Sequence, residues 1–113
     1  MNTEKFTPGE WRAEITSHEF CDTGDYVTDF GIVTDKNIGI AQCFDNMVIN
    51  EDEAEANCYL IAAAPEMYDR LKRTRSDLLT ILNPNISQQA KERLVEIIIE
   101  NIESVLKKAR GEE

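Results

Sequence analysis

The chain has 113 residues, 42% apolar and 30% charged, with a formal net charge of -10. That length suits one domain with a modest core, expected over residues 1–113. A surface this acidic repels duplex nucleic acid and anionic membrane, and no apolar run approaches the ~20 residues of a membrane span, so neither partner is expected.

Met1 to Thr7 is polar, so no secretory signal is expected. The cysteines Cys21, Cys43 and Cys58 are odd in number and not closely paired. They predict a reduced cytoplasmic protein with free thiols. "EWRAEIT", Glu10 to Thr16, alternates Trp11, Ala13 and Ile15 with Arg12, Glu14 and Thr16, the period of a half-buried strand. "CDTGDY", Cys21 to Tyr26, is a turn built on Gly24. Its Asp-Thr-Gly triplet is shared with retroviral-type aspartic proteases. Those have a small residue next, where Asp25 stands here, and they are β throughout. A plain turn is the better reading. Tyr26 to Asp35 is rich in β-branched and aromatic residues, Asp35 to Asn37 make a turn, and Ile38 to Phe44 form a third strand. Short connections favour antiparallel hairpins, so residues 1–49 are expected to form a β-meander.

The period changes at Asn50, a good N-cap followed by Glu51, Asp52 and Glu53, which complement a helix dipole. "ANCYLIAAAPEMYDRL", Ala56 to Leu71, reads as helix but contains Pro65. Inside a helix a proline costs about 3 kcal/mol, whereas in a first turn its missing N–H has no partner to lose. A short helix to about Ala63, a bend, and a second helix from Pro65 to about Leu82 follow. Met67, Leu71, Leu78 and Leu82 share a stripe of that helix. "NPNIS", Asn83 to Ser87, is a turn with Ser87 as N-cap, and a third helix runs from Gln88 to about Ala109, with Gly111 after it. Val95, Ile98, Ile102, Val105 and Ala109 have coiled-coil spacing, while Leu94, Ile97, Ile99 and Leu106 widen the apolar face. A face that wide needs a second partner, so Val95, Ile98, Ile102 and Val105 are expected to face another copy of the chain. The fold class is therefore α+β: a small antiparallel meander, a kinked helix and an αα-hairpin, oligomerising through the helices.

His18 and Cys21 form an H-x-x-C pair, but Cys43 and Cys58 sit on separate apolar elements without metal-ligand spacing. Both read as small core residues, and no metal or cofactor is expected. With one histidine and no visible nucleophile–base pairing, no enzyme activity is expected. "YDRLKRTR", Tyr68 to Arg75, gathers Arg70, Lys72, Arg73 and Arg75 in an otherwise acidic chain. The plain reading is a solvated face paired with Asp69 and Asp77. The functional reading is an anion pocket. Arg70, Arg73 and Arg75 would meet phosphates, and Phe44 and Tyr68 would stack on a base or ribose. Asn57 could read base edges, or serve only at the bend. Arg12 is a further candidate, or simply an exposed strand residue.

"FTPGEW" near the start and "ANCYLIAAAPEMYDRL" further on resemble a group of small phage and prophage proteins with the pattern TPGxW followed by NAxLIAAAPELLEAL. The match covers Thr7 to Trp11 and Asn57 to Leu71. Cys58 replaces the usual alanine, and Tyr68, Asp69 and Arg70 vary the ending. Some of that group look like phage Thoeris anti-defence sponges. The resemblance implies a small antiparallel sheet plus helices, oligomerised through the helices. It also implies non-enzymatic sequestration of a cyclic ADP-ribose-type signal or cyclic nucleotide in the host cytoplasm. No ligand residue carries over by motif. The alternative expectation is an acidic oligomeric inhibitor or adaptor that binds a host protein.

Overall fold

The structure, a computed structural model, describes residues 5–19, 26–44 and 49–112. The Asp22 to Gly24 turn, Cys21 and the His18 side chain lie outside the described residues. Three strands, β1 (Trp11–Glu19), β2 (Tyr26–Thr34) and β3 (Gly39–Cys43), form one sheet in the order β1-β2-β3. Both pairings are antiparallel, as the short connections predict. Three helices follow: α1 (Glu51–Ala62), α2 (Ala64–Ile81) and α3 (Gln88–Ala109). The expected α+β class and the order of its elements are those observed.

The alternation in β1 sets the register. Trp11, Ala13 and Ile15 stand opposite Thr34, Ile32 and Phe30 of β2, so all six share one face. That face meets α1, which presents Ala54, Cys58 and Ala62 at four-residue spacing. Phe30, Ile32 and those three residues are the buried core, with Trp11, Ala13, Ile40 and Cys43 packed around it. Small residues on α1 let the helix sit close to the sheet, and the Cys58 thiol donates to the Gly31 carbonyl at 3.1 Å. The opposite sheet face carries Arg12, Glu14 and Thr16, which remain exposed. At the β2–β3 turn the buried Thr34 hydroxyl accepts from the amides of Lys36 and Ile38 at 3.2 and 3.1 Å. Asn37 takes φ 63°, a left-handed conformation that asparagine tolerates.

Burial pushes the Cys58 thiol up to about 11 from 9.0, and the neighbouring Cys43 adds to the rise. The native state therefore favours the protonated thiol. This contribution is complete below pH 9 and is lost as pH rises towards 11. Iodoacetamide at pH 8 is expected to modify Cys58 about a hundredfold more slowly in the native protein than in urea, because two pKa units remove that fraction of thiolate. Peptide mass mapping reads it, and equal rates would contradict the buried position.

The helix ends follow the capping signals. The Asn50 side chain accepts from the Glu53 amide at 2.9 Å, and Ser87 Oγ from the Ala90 amide at 3.1 Å. Pro65 lies in the first turn of α2, where no hydrogen bond is lost. At the joint the Ala63 amide donates to the Tyr59 and Leu60 carbonyls, while the Ala63 carbonyl accepts from the Met67 amide at 2.9 Å. Ala62 and Ala63 are buried there. Pairs of α2 with α3 (Arg70 with Asn101, Glu66 with Lys108) show the two helices antiparallel.

The molecule is long: 70 × 29 × 22 Å, with a radius of gyration of 19.0 Å. A compact chain of this length would have about 13 Å. The hairpin accounts for the difference, and α2 contains no buried residue over its 18 positions. The seam expected to face another copy is divided. Ile98 and Val105 are buried at 8% exposure within the chain, while Val95 and Ile102 are exposed. The apolar arc of α3 exceeds what one neighbour can cover, and contact with the rest of the chain takes its Ile98 side.

Candidate functional site

A cleft of about 340 Å³ opens beside the α1–α2 joint. Gly9, Glu10 and Trp11 form one wall, Ala62 and Pro65 the floor at the joint, and Glu66, Asp69, Arg70 and Arg73 of α2 the other wall; Lys108 of α3 closes one side. Each part has a local cause. The Pro65 bend turns α2 away from the sheet and leaves space beneath the first strand. Trp11 begins β1, and its indole N–H donates to the Thr7 carbonyl at 3.1 Å, which folds the N-terminal segment back against it. The two segments that carry the sequence pattern, Thr7 to Trp11 and Asn57 to Leu71, thus meet at this cleft.

Three cations and three carboxylates line it, and they are not evenly paired. Glu66 takes two cations, Lys108 Nζ at 3.0 Å and Arg70 Nη2 at 3.6 Å. Arg70 Nη1 also donates to Asn101 Oδ1 at 3.0 Å, which fixes the guanidinium. Arg73 makes no hydrogen bond or ion pair among the described residues. The cleft therefore offers one uncommitted guanidinium next to two positioned cations, with Glu10 and Asp69 as acceptors.

An apolar recess of about 250 Å³ adjoins it, lined by Phe6, Trp11, Ala64, Pro65 and Tyr68. Phe6 stands edge-on to Trp11 at 6.3 Å and to Tyr68 at 5.1 Å between ring centroids. Such pairs contribute roughly 0.5–1.5 kcal/mol beyond burial. Lys72 Nζ lies 5.5 Å from the Tyr68 ring centroid, so one face of that ring already holds a cation. Trp11 and Pro65 are shared by the cleft and the recess.

Of the residues singled out in the sequence, Arg70 and Arg73 come together in the cleft. Tyr68 does not join them: two residues back along a helix is about 200° around it, and its ring faces the recess instead. Arg12 is used elsewhere. Its Nη1 donates to the Thr34 carbonyl at 2.9 Å, its Nη2 to Asn37 Oδ1, and it pairs with Glu14 at 3.7 Å, so it fastens the β2–β3 turn. Phe44, 66% exposed, stands just beyond β3, and Asn57 is exposed on α1; these and Arg75 line neither cavity. Trp11 and Lys108 were absent from the sequence-based candidates. Trp11 had a signal, the "FTPGEW" segment. Lys108 had none, because only the hairpin brings the end of α3 back to the joint.

A protein-family model described as Salmonella phage P22 protein Y8K6 matches residues 1–113. No curated protein and no solved structure matches the chain. Among the described helices, none is long and apolar enough to cross a membrane.

Proposed function

The chain belongs to the family of Salmonella phage P22 protein Y8K6, and on that premise we propose that this phage protein works by binding. It holds an anionic, nucleotide-type molecule of the cyclic ADP-ribose or cyclic nucleotide class in the cleft beside Trp11. By doing so without cleaving it, the protein withdraws a defence signal from the host cell.

The observation that supports this reading is Arg73, a cation with no partner among the described residues, in a cleft whose other cations are already positioned. A guanidinium fork matches two phosphate oxygens, and Lys108 and Arg70 add positive charge without moving. Glu10 and Asp69 suit ribose hydroxyls, which donate to carboxylates. The Trp11 indole supplies a flat apolar wall for a base. The volume falls at the lower end of the ~300–1,000 Å³ usual for small-molecule sites.

Trp11 is the single tryptophan and lines both the cleft and the adjoining recess, so its fluorescence reports on this part of the molecule. A panel of cyclic nucleotides and ADP-ribose isomers is expected to include one that alters that emission and adds its intact mass in native mass spectra. Arg73→Ala should weaken binding about tenfold to a hundredfold, the ~1.5–3 kcal/mol of a hydrogen bond to a charged group. Unchanged affinity in the folded variant would refute the site. The net charge of -10 favours a second reading, an inhibitor or adaptor for a basic host protein. A stoichiometric host protein retained after nuclease treatment and dialysis, with no ligand bound from the panel, would favour that reading instead.

A further inference from the structure

The hairpin carries an apolar face that remains exposed among the described residues. On α2, Leu71, Leu78 and Leu82 are exposed, the last at 77%. On α3, Val95, Ile99, Ile102 and Leu106 are exposed. In each helix these residues centre roughly 80° around from the inward ones, at 100° per residue and in the same rotational sense. Because the helices are antiparallel, the same sense of rotation points both stripes to one flank. The seven side chains therefore make one continuous surface.

The two edges of that surface differ in charge. Beyond the leucines, α2 presents Arg75 and Lys72. Beyond the α3 stripe stand Glu92, Glu96 and Glu103, all exposed. Arg70 lies opposite Asn101, so Arg75, five residues nearer the tip, is level with about Glu96.

We propose that a second copy of this chain covers this face, related to the first by a two-fold axis parallel to the hairpin. That operation sets α2 of each copy over α3 of the other. The basic edge then meets the acidic edge twice, with Arg75 of one copy beside Glu96 of the other. Glu96 also meets Arg93 of its own chain at 3.2 Å, and the incoming guanidinium joins that pair. A two-fold across the hairpin would instead stack basic edge on basic edge. Each stripe is about 17 Å long, and the two are offset along the hairpin so that together they extend over about 25 Å. Arg73 and the cleft lie on a different side of α2 and stay open.

Sedimentation equilibrium of the full chain tests this. The wild type is expected at twice the chain mass at micromolar concentration. Ile99→Glu, at an exposed position, should raise the dimer Kd about a hundredfold or more with an unchanged far-UV spectrum. Arg75→Glu and Glu96→Arg should each weaken self-association about tenfold. Mixed together, those two chains should form a heterodimer, because both edge contacts regain opposite charges. A monomeric wild type, a dimer indifferent to Ile99→Glu, or two charge variants that fail to pair with each other would each overturn the proposal.

Discussion

Replacing Trp11 by alanine is expected to cost the protein about 2–3 kcal/mol of unfolding free energy and to open the cleft into the recess. Full burial of a tryptophan would put the loss at about 3–5 kcal/mol. Trp11 is only half-buried, so the lower figure applies. The side chain serves three structures at once. It packs at the margin of the core, it stands edge-on to Phe6, and its N–H ties Thr7 back to β1. Trp11→Phe separates these roles. The ring contacts remain and the N–H is lost, so about 1 kcal/mol should go. Urea denaturation followed by far-UV circular dichroism reads both variants. Equal losses would mean that the hydrogen bond, and not the wall, is what matters. For an ordinary domain holding 5–15 kcal/mol, the alanine variant still folds, so its ligand affinity remains measurable.

How much of this was legible in the sequence depends on how local each cause is. Asn50, Pro65, Ser87 and Gly111 mark the helix ends because capping acts within four residues. Gln88–Ala109 is both the expected and the observed third helix. The first strand runs three residues beyond Thr16, to Glu19, because pairing with β2 extends it where its own alternation stops. The apolar residues of α3 span too wide an arc for spacing to say which part turns inward. Only contact with the rest of the chain separates Ile98 and Val105 from Val95 and Ile102.

The candidate site divides along the same line. Arg70 and Arg73 share a side of one helix, which spacing shows. Lys108 reaches Glu66 only because the hairpin returns. Arg12 alternates with the core residues of β1, so an exposed position was predictable. Its commitment to the Thr34 carbonyl was not, since that depends on where the β2–β3 turn falls.

Gly111→Ala is expected to destabilise the protein by about 2–4 kcal/mol, a large effect for one methyl group near the end of the chain. Two independent costs combine. The first is backbone strain. Gly111 sits at φ 75°, just past α3, where the Glu112 amide donates to the Lys107 carbonyl at 2.9 Å and the Gly111 amide to the Lys108 carbonyl at 3.0 Å. That paired geometry closes a helix and requires a left-handed residue, which costs a non-glycine about 1 kcal/mol. The second is space. A Cβ at Gly111 would stand 2.6 Å from Tyr59 Cδ2 and 2.8 Å from its Cγ. Cγ is the root of the ring, so Tyr59 cannot swing its tip aside. It must leave its rotamer or push the end of α3 away, at roughly 1–3 kcal/mol. A double-mutant cycle with Tyr59→Ala divides the two: removing the ring should relieve the steric part and leave the strain, giving a coupling of about 1–3 kcal/mol. Zero coupling would mean that the ring moves freely and strain is the whole cost. The displaced turn also carries Lys108, whose bond to Glu66 helps hold the cleft wall. Ligand affinity should therefore fall with Gly111→Ala, although Gly111 does not line the cleft.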